Sequence, residues 1–166
     1  MYRRMTDVNI ARMMRGLPDA IAIIAGGAQY PEINGSVKFY QTTRGVLVVA
    51  DIFALPMINR SCKGDVFGFH IHSGSACTGN NEDEFAGAGT HYNPSLCPHP
   101  YHAGDMPPIF VAGSSAFLCF ITNRFTVDEI IGKTVIIHDK PDDFTTQPSG
   151  NSGKKIACGE ISAVRR

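Results

Sequence analysis

The chain has no tryptophan, no Cys-x-x-Cys pair and no surplus of either charge: Lys plus Arg number 15, as do Asp plus Glu. The missing Cys-x-x-Cys argues against a thiolate zinc knuckle. A formal net charge of +0 leaves no global field for nucleic acid or an anionic membrane surface. Long apolar runs are missing too, and none approaches the ~20 residues of a membrane span. Arg3 and Arg4 stand ahead of the apolar run 20–25, but Asp7, Arg12, Arg15 and Asp19 intervene, which breaks the order of a secretory leader. A cytoplasmic protein is the expectation, or a periplasmic or secreted one if a leader preceded this chain.

What is present is a 166-residue chain, 43% apolar, with 17 glycines and 10 prolines. That is enough for one domain with a core, and turns this frequent favour an all-β chain. Residues 1–18 read as an N-terminal extension, with Thr6 or Asp7 capping a short helix that ends at Gly16 or else a frayed tail; residues 19–166 read as the domain. Eight strand-like runs follow, at 20–25, 36–41, 46–54, 66–72, 109–112, 116–121, 134–138 and 156–164. Turn residues at Asn34-Gly35, Arg44-Gly45, Gly113-Ser114 and Gly132 separate them. Without long intervening helices, these runs predict a sandwich or a Greek-key barrel. Thr126 and Glu129 form a capping box for one or two helical turns at 126–131. Two long loops, 73–106 and 139–155, exceed the usual length of a connection and carry function more often than not.

All six histidines lie in or beside those loops. In the run Gly-Phe-His-Ile-His at 68–72, strand alternation turns His70 and His72 to one face and Phe69 and Ile71 to the other. His91, His99, His102 and Asp105 fall within 15 residues. A His₃Asp set supplies four N and O ligands, which suits tetrahedral, closed and therefore structural zinc. That zinc is expected to tie down a Pro-rich loop unable to order itself through backbone pairing. His138 ends a strand that can reach His70 and His72. Histidine-only ligation suits Cu(II) with an exposed position. Three histidines fall one short for copper unless His91, deprotonated at both ring nitrogens, bridges the two ions.

These residues resemble the copper/zinc superoxide dismutase family. The likeness spans 20–164 and rests on five blocks in family order: 68–72, Gly-Thr-His-Tyr-Asn-Pro at 89–94, His-Ala-Gly-Asp at 102–105, 135–143 and 150–159. The resemblance implies an all-β, eight-stranded Greek-key β-barrel or immunoglobulin-like sandwich. It implies copper on His70, His72, His91 and His138, and zinc on His91, His99, His102 and Asp105. It makes Asp142 a carboxylate joining a copper histidine to a zinc histidine, and it pairs Cys77 with Cys158 in a disulfide. Cys62, Cys97 and Cys119 match no family role. The implied reaction converts superoxide to dioxygen and hydrogen peroxide by alternate reduction and oxidation of copper, with His91 taking and giving a proton. Superoxide is the implied partner; neither nucleic acid nor membrane is expected, and a homodimer is possible within the family.

Two departures bear on rate. Lys155 stands where the family has an arginine beside copper, keeping the charge but losing the planar fork. Activity is expected to persist at roughly a tenth, worth ~1.4 kcal/mol, and Lys155→Arg to raise it. Both loops are also shorter than the family's: residues 144–149 replace a longer, more charged segment, so steering is expected to weaken, and only two residues separate His99 from His102, so zinc is expected to bind less firmly than copper. Lys155 leaves one competing reading, a metal-handling protein of the same fold with little turnover. A zinc hydrolase would need an open zinc position, which four protein ligands do not leave.

Overall fold

A computed structural model describes residues 10, 14–58 and 65–165. Most of the predicted helix at 6–16 lies outside the described residues, as does Cys62. Among the described residues nine strands run in chain order: β1 (Ala20–Gly26), β2 (Asn34–Thr42), β3 (Gly45–Phe53), β4 (Val66–Phe67), β5 (Phe69–His72), β6 (Ile109–Phe110), β7 (Ala116–Thr122), β8 (Thr134–His138) and β9 (Lys155–Ala163). Among the described residues Ile10 and Met14 are helical, and the other helical elements are a 3₁₀ turn (Ala86–Ala88) and one short helix, α1 (Val127–Ile130). Thr126 N and Oγ1 both donate to Glu129 Oε2, at 2.6 and 2.9 Å, which is the expected capping box. No helix among the described residues is long and apolar enough to cross a membrane.

Seven strands form one curled antiparallel sheet in the order β5-β8-β9-β1-β2-β3-β7, and β4 pairs with β6. The strand expected at 66–72 is therefore two strands in two sheets. The break is at Gly68, whose N–H donates to Lys140 O while its own carbonyl accepts from His138 N. A side chain there would run into Ser152, 2.9 Å from the position of its Cβ. Asn34-Gly35, expected as a turn, instead opens β2 opposite Phe53 and Ile52. β4 leads straight into β5, and β6 leads into β7 through a tight turn in which Ala112 and Ser115 exchange backbone hydrogen bonds. The β4–β6 pair thus stands between the two edge strands of the large sheet.

The core is the concave side of this sheet. Val37, Phe39, Val48 and Ile52 fill it from β2 and β3, Phe69 and Ile71 from β5, and Val135 and Ile137 from β8. A smaller cluster of Phe85, Ala88, Ile136 and Cys158 lies outside the barrel, where the first long loop covers β8 and β9. That loop pairs with β5 along its open edge. Ile71 N donates to Gly104 O at 2.9 Å, Tyr92 N to Ile71 O at 2.8 Å, and Gly104 N to Tyr92 O at 2.8 Å. The expectation that the Pro-rich loop lacks backbone pairing is therefore corrected. Pro94, Pro98 and Pro100 all lie between its two pairing segments, where no ladder bond is lost.

Candidate metal centre

The site is built on the convex face of β5 and β8. Phe69 and Ile71 enter the core, so alternation turns His70 and His72 outward. His70 sits opposite Ile136 and His72 opposite Thr134. His138 ends β8 opposite Lys155, where the register shifts. The loop pairing then brings the remaining residues in: Asp105 bridges to His70 and His91 to His72. His70, His72, His91, His99, His102, His138, Asp105 and Asp142 are all buried.

Four of the imidazoles have a partner that decides where the proton sits. His72 Nδ1 lies 2.9 Å from Gly89 O and His138 Nδ1 3.3 Å from Gly153 O. A carbonyl only accepts, so both Nδ1 atoms carry hydrogen and both Nε2 atoms are lone pairs. Those two Nε2 atoms face one another at 3.3 Å. Asp142 accepts from His70 Nε2 at 2.8 Å and from His99 Nε2 at 2.9 Å, leaving lone pairs on both Nδ1 atoms. Its Oδ1 also accepts from Phe144 N at 2.7 Å. His70 Nδ1 and His91 Nε2 are buried without a hydrogen-bond partner. His99 Nδ1 is 3.1 Å from Asp105 Oδ2, yet it too makes no hydrogen bond. His91 Nδ1 meets Asp105 Oδ1 at 2.8 Å.

Acceptor thus faces acceptor twice, at His72/His138 and at His99/Asp105. Each contact is repulsive alone, and a cation shared between the pair makes both atoms ligands. Charge on the rings is suppressed as well. Burial, with the nearby imidazoles, lowers His138 to about 3 and His72 well below its usual value. Burial also lowers His70, to about 4, against the opposing hydrogen bond to Asp142. Neutral rings are the form that binds metal. Burial alone would raise Asp142, but the bonds from His70, Phe144 N and His99 outweigh it and hold the carboxyl at about 2. Burial would likewise raise Asp105, and the bond from His91 and the surrounding imidazoles lower it.

Two groups able to hold a metal ion result: His70, His72, His91 and His138, and His91, His99, His102 and Asp105. The ligand atoms within each lie within 4.8 Å of one another, and His91 belongs to both. The donor chemistry fits copper in the all-imidazole group and zinc in the His₃Asp group.

Lys155 lines the same cavity, of about 940 Å³, as His72, His91 and His138. Its ammonium is not free: Nζ donates to Asp83 Oδ2 at 2.6 Å and to Phe85 O at 3.0 Å. Asp83 was not legible in the sequence, because nothing local distinguishes it from Glu82 or Glu84. Gln147 is another such residue. Its Oε1 accepts from His99 N at 2.9 Å and its Nε2 donates to His99 O at 2.7 Å. Gly150, at φ +65, leaves room for Asp142, whose Oδ1 would lie 2.0 Å from a Cβ there. Cys77 and Cys158 form the expected disulfide, anchoring the first loop to β9, while Cys97 and Cys119 are free.

Known proteins agree with this geometry. The family model for copper/zinc superoxide dismutase (SODC) matches residues 33–161. A "Superoxide dismutase [Cu-Zn] 2" of Aquifex aeolicus (strain VF5) is 31% identical over 145 residues, covering 78% of this chain and 80% of its own. A "Superoxide dismutase [Cu-Zn]" of Legionella pneumophila is 33% identical over 139 residues, covering 79% of each. Among solved structures, a Cu/Zn superoxide dismutase from Brucella abortus superposes with a TM-score of 0.71 at 20% identity, over 85% of this chain and 98% of that one. That likeness carries the fold, a Greek-key β-barrel. With the matched segment spanning most of the domain and relatives above 30% identity, the chain belongs to the copper/zinc superoxide dismutase family.

Proposed function

We propose that the protein disproportionates superoxide, two superoxide anions and two protons giving dioxygen and hydrogen peroxide. The family's metals are copper and zinc. In this reading His70, His72, His91 and His138 hold copper, and His91, His99, His102 and Asp105 hold zinc. The observation that carries it is the pair of facing acceptors, His72 Nε2 and His138 Nε2 at 3.3 Å, beside the unpartnered His70 Nδ1 and His91 Nε2. Bound copper supplies one-electron redox chemistry, and zinc orders its ligands.

The chain's own residues do the rest. Asp142 accepts from one histidine of each group, fixing both tautomers and coupling the orientation of the two rings. His91 belongs to both groups, and its Nε2, when its lone pair is not engaged by copper, would hold one of the two protons that peroxide requires. The cavity attracts the anion through Lys133, Lys154 and Lys155, but Glu82, Asp83 and Glu84 line it too. Steering is correspondingly modest.

The test is the decay of pulse-generated superoxide on protein of measured copper and zinc content. First-order dependence on copper-loaded protein, at a rate well above free buffer, is expected. Stoichiometric metal binding without faster decay overturns the activity and leaves the metal-handling alternative. Loss of copper binding in His70→Ala and His138→Ala checks the ligand assignment independently of rate.

A further inference from the structure

The His₃Asp group draws all four of its residues from one stretch, 91–105, whose ring and carboxylate positions follow its backbone. Two side chains from elsewhere in the chain hold that backbone. Gln147 grips the main chain of His99 at both N and O. The second is Arg124, between β7 and α1, to which the sequence assigned no role. Its Nη1 donates to Pro100 O at 3.0 Å, His102 O at 3.3 Å and Asp105 O at 3.1 Å. Two of those three carbonyls belong to residues that carry the group's side chains. Drawing them to one nitrogen bends 100–105 around a single point. Inside that arc, Asp105 N donates to His102 O at 3.2 Å, and His102 N donates to Asp105 Oδ2 at 3.0 Å.

We propose that Arg124 is a positioning residue for the zinc group: its guanidinium, together with the Gln147 clamp on His99, sets the backbone of 99–105 so that His99, His102 and Asp105 converge before metal arrives. A loop arranged in advance does not spend binding free energy on ordering itself. Arginine suits the task, because its planar guanidinium presents several donors in a fixed arrangement to the carbonyls. The proposal rests on the zinc assignment made above.

The test uses the full metal-stripped chain and three variants. Arg124→Met keeps the stem and removes every donor, Arg124→Lys keeps the charge and three donors, and Gln147→Met removes the other clamp. Zinc affinity is read by competition with a chromophoric chelator, and cobalt(II) reports the site through its tetrahedral absorption bands. Copper(II) affinity and thermal unfolding of the metal-stripped protein are read in parallel. Arg124→Met is expected to weaken zinc binding by ~10–100-fold, the range for groups that orient ligands, with copper affinity unchanged. Arg124→Lys is expected to recover much of the loss, and Gln147→Met to weaken zinc independently. Zinc affinity equal to that of the unaltered chain in Arg124→Met overturns the proposal alone. Equal losses of zinc and copper affinity overturn it also, since they mark a general packing role. Failure of the unaltered chain to take up zinc or tetrahedral cobalt overturns the zinc assignment itself.

Discussion

At the scale of single residues, the proposed activity is expected to depend on how Lys155 is held. Its ammonium sits against Asp83 Oδ2 at 2.6 Å, so a carboxylate offsets much of the charge that would otherwise attract superoxide. Point-charge attraction depends on the net field of the cavity rather than on one lysine. Asp83→Asn is therefore expected to raise the second-order rate with superoxide by ~3-fold at low ionic strength. The gain should shrink as salt shortens the screening length. An unchanged or lower rate at low salt would show that Asp83 serves to position Lys155 rather than to mute it. Lys155→Arg is expected to raise turnover by ~10-fold: a guanidinium has enough donors to keep Asp83 and Phe85 O while offering another to the anion. Turnover of both variants against copper content decides between the charge and the fork.

At the scale of elements, β5 is an edge strand made safe by the loop that follows it. Gly104 permits this closure, for a Cβ there would lie 2.2 Å from Ile71 O. Gly104→Ala is expected to cost about 1–3 kcal/mol, as overpacking does, visible as a lower urea midpoint. Stability unchanged by this substitution would mean that the loop can detach from β5 freely. The histidine-bearing ends of β5 and β8 also make the metal-stripped protein sensitive to acid. His70 and His138 titrate at about 4 and about 3 when folded, against 6.5 ordinarily. Between those values the unfolded chain binds protons that the folded chain refuses, so stability falls as pH drops from 6.5 toward 4. Asp142, at about 2 against 3.8, acts in the same direction but only at lower pH. Thermal unfolding of metal-stripped protein should show Tm falling steadily between pH 7 and pH 4.5, and a flat Tm over that interval would contradict the shifts.

At the scale of the whole molecule, the disulfide ties the first long loop to the last strand across a separation of 81 residues. Closing a loop of that size in the unfolded chain predicts about 2–5 kcal/mol of stabilisation. Chemical denaturation of the metal-stripped protein with and without reductant measures it, with a midpoint unmoved by reductant as the contrary result. The bridge joins the small cluster of Phe85, Ala88 and Ile136, and Phe85 O is also a partner of Lys155. Loss of the bridge is therefore expected to loosen the hold on Lys155.

The amino-acid sequence by itself determined the all-β class, the strand alternation that turns His70 and His72 away from Phe69 and Ile71, and the capping box at Thr126. Each depends on residues two to four apart, where backbone geometry dictates the outcome. Spacing and ligand chemistry also divided the histidines into two sets sharing His91, and family motifs added the expected role of Asp142 and the Cys77–Cys158 bridge. Only the tertiary structure decided the rest: the break at Gly68 that makes two strands of one, the backbone pairing of the Pro-rich loop with β5, the Asp83 partner of Lys155, and the Gln147 and Arg124 contacts around His99 to Asp105. In these, residues brought together from separate parts of the chain meet loop backbone or loop side chains. Such contacts depend on how the barrel closes, and no local periodicity encodes that.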